Sequence, residues 1–271
     1  MGEKGRMSGI APETSAATRY EVAGGVATIT LARAESRNAL DGELLDSLGG
    51  DLRRATADDA VRAVVLSNDG TTFCAGADLK RVDGRQAVGR IVEVFEAILD
   101  SPKPVVGRIA GHCMGGGVGL AAACDISVAA DDVRLGFTEV RVGVAPAIIS
   151  VVCLPKMRRG DASELFLTGE RIDARRAVEV GLLNRVVPRV ELDVAVEAVL
   201  AGVLAGGPEA LAASKALVRT VPTLPRGEAF EWTARLSAER FASPEAAEGM
   251  AAFRERRPAA WVPVHAAAVD A

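Results

Sequence analysis

The first part of the chain alternates between short apolar runs and longer segments with helical spacing. Residues 20–22 and Val26–Leu31 predict two strands, and the glycine pair at 24–25 between them is typical of a hairpin turn. Four later apolar runs of strand length predict further strands: 61–66, 105–109, 126–129 and 133–137.

Segments with helical periodicity separate these strands. Asp41 is a typical N-cap, and apolar residues follow it at positions 44, 45, 48 and 52. A second helix has apolar residues at 88, 91, 92, 95, 98 and 99 and ends before Pro102, and a third runs from Gly116 to about Cys124. This alternation of strands and helices is typical of parallel β/α packing.

The pattern changes to helices after Pro155. Glycines separate six segments with helical spacing: 162–167, 174–180, 192–204, 208–218, 227–241 and 244–256. Trp261 is the expected anchor of the tail that follows Pro258. The pattern therefore predicts an α/β body followed by a helical C-terminal part.

Composition places the chain among ordinary globular proteins and excludes some partners. Of its 271 residues, 49% are hydrophobic and 25% charged, and the net charge is -4. An acidic balance argues against nucleic acid as the main partner, because phosphate binding needs a basic surface. The apolar run 142–154 contains Pro146 and is shorter than the ~20 residues of a membrane-spanning helix, so we expect no membrane partner.

The cysteines and histidines predict neither disulfides nor a metal site. Cys74, Cys113, Cys124 and Cys153 form no C-x-x-C pair and lie in apolar or glycine-rich surroundings, which favours buried free thiols in a reducing compartment. Only 2 histidines occur, with no cysteine beside them in a ligand pattern. Residues 1–17 lack the apolar core of a signal peptide, so they predict a flexible tail on a cytoplasmic protein.

Two stretches of small residues stand at predicted strand-to-helix junctions. One is Phe-Cys-Ala-Gly-Ala-Asp-Leu at 73–79, and the other is Gly-His-Cys-Met-Gly-Gly-Gly at 111–117. Ala77 leaves its N–H uncovered by a bulky side chain, and an N–H at a helix start favours negative charge. Two such groups converging on one oxygen would form an oxyanion hole, which stabilises an enolate more than the ground-state carbonyl.

Each stretch taken alone has an equally good structural explanation. Its glycines could simply allow tight turns or close contacts between a helix and a sheet. A glycine triplet is weak evidence of function, and the pattern is not the G-x-G-x-x-G of dinucleotide-binding proteins.

Together, the two stretches and several others give the chain a specific resemblance. It resembles the enoyl-CoA hydratase/isomerase (crotonase) superfamily from about residue 20 to 257, nearest to single-glutamate members similar to methylglutaconyl-CoA hydratases. The matching segments are residues 36–40, 73–80, 115–126, 135–140, 167–174, 177–187 and 248–253.

The resemblance implies a fold and an assembly. The expected fold is the crotonase-like (ClpP/crotonase) α/β fold, a spiral of ββα units with a C-terminal helical trimerisation region. We expect a tail at 1–17, a spiral core at 18–204 and a helical oligomerisation region at 205–271. The protein would form a homotrimer or a dimer of trimers.

The resemblance also implies a ligand and its contacts. The substrate would be an acyl-CoA thioester, with coenzyme A as part of the substrate and no further cofactor. The N–H groups of Ala77 and Gly116 would form the oxyanion hole. Further substrate or coenzyme A contacts would come from Arg37, Ala39, Ala75, Asp78, Leu79, Gly115 and Thr138. Asp78 could equally be a helix cap.

The chain departs from the two-glutamate hydratases of this superfamily at one catalytic position. One of their glutamates lies three residues after the middle glycine of the triplet, where this chain has Gly119. The second falls on Glu139, which is present and is the expected acid/base.

One carboxylate leaves three functions open. The first is an enoyl-CoA hydratase-type hydro-lyase of fatty acid metabolism, in which Glu139 activates water for addition across the 2,3-double bond. The second is a double-bond isomerase, in which Glu139 moves a proton between Cα and Cγ. The third is an acyl-CoA-binding homologue without catalytic activity. We place hydration ahead of isomerisation by a small margin.

Other polar residues have structural interpretations that we prefer. His112 is expected to be structural, Asp125 to be a cap, and His265 to be solvated. A solvated surface is also the expected place of four cations that could otherwise meet coenzyme A phosphates: Arg158, Arg159, Lys215 and Arg219. Seven apolar residues are candidates for an acyl pocket, although most are expected in the core: Val88, Ile91, Val92, Phe95, Val142, Val144 and Ile148.

Overall fold

The computed structural model describes residues 13–14, 17–78 and 84–263, with side chains for 17–78 and 89–263. The strands are β1 Glu13–Thr14, β2 Thr18–Ala23, β3 Val26–Leu31, β4 Ala63–Asn68, β5 Thr72–Cys74, β6 Val105–Ile109, β7 His112–Met114, β8 Ile126–Ala130, β9 Arg134–Gly136, β10 Arg171–Asp173 and β11 Arg185–Val187. The helices are α1 Gly42–Ala57, α2 Gly84–Asp100, α3 Gly116–Ala123, α4 Ala147–Cys153, α5 Arg159–Thr168, α6 Ala174–Glu179, α7 Leu192–Ala205, α8 Pro208–Thr220, α9 Arg226–Phe241 and α10 Pro244–Glu255.

The strands form two sheets. The larger has the order β1-β2-β3-β4-β6-β8-β11, and the strands from β3 to β11 run parallel after the antiparallel β2–β3 hairpin. The smaller has the order β10-β9-β7-β5, in which β5, β7 and β9 are parallel. The smaller sheet positions the site described below.

Long periodic segments fold as their sequence predicts. The bounds of β3 and β6 match the apolar runs, and the hairpin turns at Gly24 and Gly25, which both have positive φ. Asp41 caps α1 by accepting a hydrogen bond from the N–H of Leu44 at 3.0 Å. The apolar stripe of α1 is buried, and Gly49 in that helix is buried close to Val94 of α2.

The sequence pattern does not predict several of the short elements. β7, β10 and β11 have three residues each, and α4 lies inside the apolar run 142–154, where the pattern predicts no helix. Residues 13–14 of the expected N-terminal tail form β1 and pair with β2. No described helix has the length and apolar character needed to cross a membrane.

The C-terminal third is helical as predicted, and two polar anchors fasten it to the body. Lys215 of α8 donates to the carbonyl oxygen of Ile98 at 2.7 Å and pairs with Asp125 at 2.7 Å. Arg62, next to β4, donates to the carbonyl of Trp261 at 2.8 Å, and the Trp261 indole donates to the carbonyl of Ala205 at 3.0 Å, which confirms the role of Trp261 as an anchor. Lys215 is nearly buried, so the expectation of a solvated cation there is wrong.

Candidate active site

The site lies where three parallel strands of the smaller sheet end. The backbone loop Ala75–Ala77 follows β5, the loop at Gly115 follows β7, and the turn with Glu139 follows β9. Because parallel strands present their carboxyl ends at one edge of a sheet, their following loops lie side by side. Register aligns them closely, since Met114 of β7 pairs with Gly136 of β9.

The loop after β5 holds the N–H of Ala77 in a defined direction. Gly76 has φ +85°, and a Cβ there would lie 2.8 Å from the carbonyl oxygen of Met114, so only glycine fits. Ala77 forms a parallel bridge with Leu40, whose hydrogen bonds involve Gly76 and Asp78 on either side. The N–H of Ala77 therefore points away from this bridge and donates to no group among the described residues.

The side chain of Asn38 holds the segment that pairs with this loop. The sequence analysis did not identify this role. The buried Asn38 side chain donates to the carbonyl of Thr72 at 2.8 Å and accepts from the N–H of Arg33 at 2.8 Å. These bonds stabilise a turn in which both Arg37 and Asn38 have positive φ, and the carbonyl of Arg37 then receives the N–H of Ala75 at 3.1 Å. An asparagine shortly after the apolar run of β3 is the available signal, because asparagine tolerates left-handed backbone.

The glycine triplet supplies the second N–H. Gly115 has φ +51° and donates to the carbonyl of Gly136 at 2.9 Å, and α3 begins at Gly116. As the first residue of a helix, Gly116 has an N–H without an intrahelical acceptor, and it donates to none of the described residues. The nitrogen of Gly116 lies 3.2 Å from the position of a Cβ on Gly76, so the two loops are in contact.

Glu139 lies directly against this triplet. It belongs to a 3₁₀ turn, Thr138–Val142, and its Oε1 lies 3.0 Å from the position that a Cβ on Gly115 would occupy. Its Oε2 is buried and has no hydrogen-bond partner among the described residues. A half-buried carboxyl group with an unsatisfied oxygen, beside two free backbone N–H groups, is unusual for a surface residue.

Burial sets the electrostatics of Glu139. Desolvation raises the pKa of its carboxyl group above the ordinary value, and a hydrogen bond from its own backbone opposes the shift. Charged side chains do not contribute to this shift within the described part of the chain. Perturbed carboxyl groups of this kind are typical of acid/base catalysts, although structural groups can be perturbed too.

The turn that contains Glu139 packs against α5 and the residue that follows this helix. The rings of Phe137 and Phe166 contact each other with centroids 4.3 Å apart. Arg141 donates to the carbonyl of Gly169 at 3.0 Å. These contacts leave the carboxyl group of Glu139 directed toward Gly115 while the rest of its turn packs against α5.

Apolar side chains fill the space beside Gly119, where two-glutamate hydratases have their other carboxylate. A Cβ at this position would lie 2.6 Å from Cγ2 of Ile149 and 2.8 Å from Cζ of Phe95. Both side chains are almost fully buried. The space that a side chain at position 119 would use is therefore occupied by hydrocarbon.

The remaining site predictions fall at different distances from this cluster. Ala75 belongs to the loop itself, and Thr138 precedes Glu139 in its turn. Ala39 and Arg37 lie on the segment that pairs with the loop, with the Arg37 side chain exposed. The N–H of Asp78 donates to the carbonyl of Leu40 at 3.3 Å, and Leu79 lies outside the described residues.

The other polar candidates have structural partners. His112 accepts the N–H of Arg134 through Nδ1 at 3.0 Å. Asp125 accepts the N–H of Val105 at 2.7 Å, so it anchors a strand and does not cap a helix. Arg158 pairs with Asp161, and Arg219 pairs with Asp100.

The apolar candidates differ in their burial, and the cysteines are all buried. Ile91 and Phe95 are buried, as expected for core, whereas Val142 and Val144 are about half exposed. The side chain of Val88 lies outside the described side chains. All four cysteines are buried and free, and burial raises the pKa of the Cys74 thiol to about 12. Nowhere in the described ranges do three or more His, Cys, Asp or Glu side chains come together as metal ligands.

Comparison with known proteins agrees with this architecture. The family model described as "Enoyl-CoA hydratase/isomerase" matches residues 21–263. A Rhizobium meliloti protein named "Probable enoyl-CoA hydratase" is 35% identical over 246 residues, which cover 88% of this chain and 95% of the relative.

Solved structures give the same result. An enoyl-CoA hydratase of Mycobacterium smegmatis superposes with a TM-score of 0.86 at 32% identity, covering 91% of this chain and 99% of the other. An enoyl-CoA hydratase of Bacillus anthracis does so with a TM-score of 0.86 at 30% identity and the same coverage. The fold is therefore the α/β crotonase fold, and the chain belongs to the enoyl-CoA hydratase/isomerase family.

Proposed function

We propose that this protein hydrates the 2,3-double bond of an acyl-CoA thioester. The observation that carries the proposal is the position of the Glu139 carboxylate, whose Oε1 lies 3.0 Å from the place that a Cβ on Gly115 would occupy, beside the loops that present the N–H groups of Ala77 and Gly116. A thioester carbonyl that accepts from these two N–H groups would direct its Cα and Cβ toward that carboxylate. The name of the Rhizobium meliloti relative supports the same reaction.

In the proposed reaction Glu139 carries out both proton transfers. Its carboxylate takes a proton from water as the water oxygen bonds to Cβ, and the electron pair of the double bond moves to the thioester oxygen. The N–H groups of Ala77 and Gly116 stabilise that enolate, and each such donor is worth roughly 3–4 kcal/mol. The protonated Glu139 then returns the proton to Cα.

Double-bond isomerisation is the second candidate, because of the surroundings of Gly119. Ile149 and Phe95 fill the place where a second carboxylate would help to hold water. Isomerisation needs no water: Glu139 removes a proton from one carbon and returns it two carbons away through the same enolate. Only hydration incorporates solvent oxygen at Cβ, so product analysis in ¹⁸O-labelled water separates the two.

The test is turnover of a panel of 2-enoyl-CoA and 3-enoyl-CoA thioesters by the purified protein and two variants. Glu139→Gln should lower kcat by about 10²–10⁴-fold, the usual contribution of a general acid/base. Glu197→Gln removes an exposed carboxylate of α7 and should leave kcat unchanged. Unchanged turnover in Glu139→Gln would sink the assignment. Binding without turnover of any thioester would indicate a non-catalytic homologue.

The remaining features of the proposal follow the family resemblance. We infer that coenzyme A is part of the substrate, that no further cofactor takes part, and that the protein acts in the cytoplasm as a homotrimer or a dimer of trimers. A kinship with methylglutaconyl-CoA hydratases is the starting point for the choice of acyl group.

A further inference from the structure

Two buried asparagine side chains lie beside the strands that lead to the proposed oxyanion donors, the N–H groups of Ala77 and Gly116. Asn38 belongs to the segment between β3 and α1, and Asn68 is the last residue of β4. β5 leads to Ala77 and β7 leads to Gly116. Each of these strands has only three residues, so their own pairing contributes few hydrogen bonds, and contacts outside the ladder are needed to fix their relative position.

Both asparagine side chains bind the turn that leads into β5. Nδ2 of Asn38 donates to the carbonyl of Thr72 at 2.8 Å and to that of Asp69 at 3.2 Å. Nδ2 of Asn68 donates to the carbonyl of Gly70 at 3.1 Å, and it lies 3.2 Å and 3.4 Å from the carbonyl oxygens of Asp69 and Thr72. The two side chains therefore share the carbonyl groups at both ends of this turn.

Asn68 also binds the segment that leads into β7. Its Oδ1 accepts the N–H of Ala110 at 3.2 Å. The two strands are in direct contact here, since a Cβ on Gly111 would lie 2.4 Å from the backbone nitrogen of Phe73. A single amide group therefore connects the beginning of β5 with the beginning of β7.

The groups that Asn68 binds lie close along the chain to both donors. Ala77 follows shortly after Thr72, and Gly116 follows shortly after Ala110. The ladder between the two strands is irregular at this point, because its register shifts within β5. A displacement of about 1 Å in a group that stabilises a transition state can lower the rate about 100-fold. A change in the link between the two strands should therefore affect the rate through the spacing of the donors.

We propose that Asn68, together with Asn38, is a positioning residue that sets the spacing of the Ala77 and Gly116 N–H groups and thereby the stabilisation of the enolate. The inference rests on the proposed function, because it takes the thioester carbonyl to bind at these two groups. Both asparagines act through the backbone of β5 and β7, and neither touches the substrate.

The kinetic test measures kcat and KM of Asn68→Ala at a temperature where every variant is fully folded. Loss of the amide should lower kcat by about 10- to 100-fold with KM nearly unchanged, because the enolate depends on the donor spacing more than the ground-state thioester does. Asn38→Ala should change kcat in the same direction. The matched control is Asn184→Ala, because Oδ1 of Asn184 accepts the N–H of Ser127 in β8 of the larger sheet at 2.8 Å. This control should keep the wild-type kcat, and equal kcat in Asn68→Ala and Asn184→Ala overturns the inference.

A spectroscopic test separates failure of the inference from failure of the proposed reaction. Butyryl-CoA has no double bond to hydrate, so infrared difference spectroscopy can follow the stretching band of its ¹³C-labelled thioester carbonyl in the bound state. Two N–H donors polarise this carbonyl and should shift the band to lower frequency in the wild type and in Asn184→Ala, and by less in Asn68→Ala. If Asn68→Ala does not fold, Asn68→Ser makes the smaller change, with a smaller effect in the same direction.

The outcomes of this test are distinct. An equal band shift in the wild type and in Asn68→Ala overturns the inference. The absence of any shift in the wild type overturns both the inference and the proposed binding of the thioester carbonyl. A shift that Asn68→Ala reduces, in a wild-type protein without turnover, supports the inference and overturns only the proposed reaction.

Discussion

The missing Cβ atoms of Gly115 and Gly119 have different consequences for the site. At Gly115 the bare Cα lets the Glu139 carboxylate approach the glycine triplet. At Gly119 it lets hydrocarbon from α2 and α4 pack against α3. A glycine marks both positions in the sequence, but only the structure distinguishes a contact with a carboxylate from a contact with a hydrophobic core.

Glu139 should lower the stability of the protein at neutral pH. Burial raises its pKa above 4.5, so the folded state binds more protons at this group than the unfolded state as pH rises from the ordinary value to the raised one. The free energy of unfolding therefore decreases as pH rises through that window. Glu139→Gln, which stays neutral, should have a higher Tm than the wild type at pH 7.5, and the difference should shrink near pH 4.

Catalytic activity should increase with pH through the titration of Glu139, whereas stability decreases. The proposed base is the carboxylate, so kcat/KM should rise with pH to a plateau, with a midpoint above the ordinary glutamate pKa of 4.5. Calorimetry of both proteins at several pH values and a pH–rate profile of the wild type measure the two effects. A lower Tm for Glu139→Gln at pH 7.5 would show that the charged form is stabilised by a partner.

Three short parallel strands, β5, β7 and β9, determine how the site is assembled. The hydrogen bond from Gly115 to Gly136 and the pairing of Met114 with Gly136 place Glu139 three residues beyond the point of contact. A register shift of one residue would turn each side chain to the opposite face of the sheet. The packing of α3 against β5 also positions the site, and the absence of a Cβ at Gly117 allows this packing.

Gly117 and Gly50 should respond in opposite ways to substitution by alanine. A Cβ at position 117 would overlap the carbonyl oxygen of Cys74 in β5, so Gly117→Ala should lower the free energy of unfolding by about 3 kcal/mol or more. Gly50 lies within α1 with no heavy atom within 4 Å of such a Cβ, so Gly50→Ala should raise it by about 1 kcal/mol. Urea unfolding of both variants measures this; a stable Gly117→Ala protein would contradict the packing described.

The sequence predicts the long elements and the glycine loops. It does not predict features that depend on contacts between residues distant in sequence. Strands β7, β10 and β11 are too short for a period of two to be visible, and they exist because neighbours in the sheets pair with them. Lys215 is indistinguishable in sequence from a solvated lysine, since its acceptors at Ile98 and Asp125 lie about 90 residues or more away along the chain. The hydrocarbon beside Gly119 likewise comes from two helices that are distant in sequence.

At the scale of the whole molecule, the C-terminal helices are poorly covered by the rest of the chain. Helices α8 and α9 contain no buried residue, although the larger sheet and α1 are buried almost completely on one side. Phe230 and Phe241 are 71% and 73% exposed. They are eleven residues apart, which is about three helical turns, so they lie on one face of α9. An apolar face of this kind is typical of a surface that binds another chain.

We expect this face of α9 to bind other copies of the chain, giving a mass of three or six times 28.1 kDa in solution. Replacing both Phe230 and Phe241 by serine removes the apolar side chains from the face and should release monomers, because burial of apolar surface drives such association. Val190→Ser removes a side chain that is 89% exposed outside these helices and should keep the wild-type mass. Light scattering coupled to size-exclusion chromatography measures all three proteins. A monomeric wild type at micromolar concentration would refute the expectation, and an unchanged mass in the double variant would place the interface on another surface.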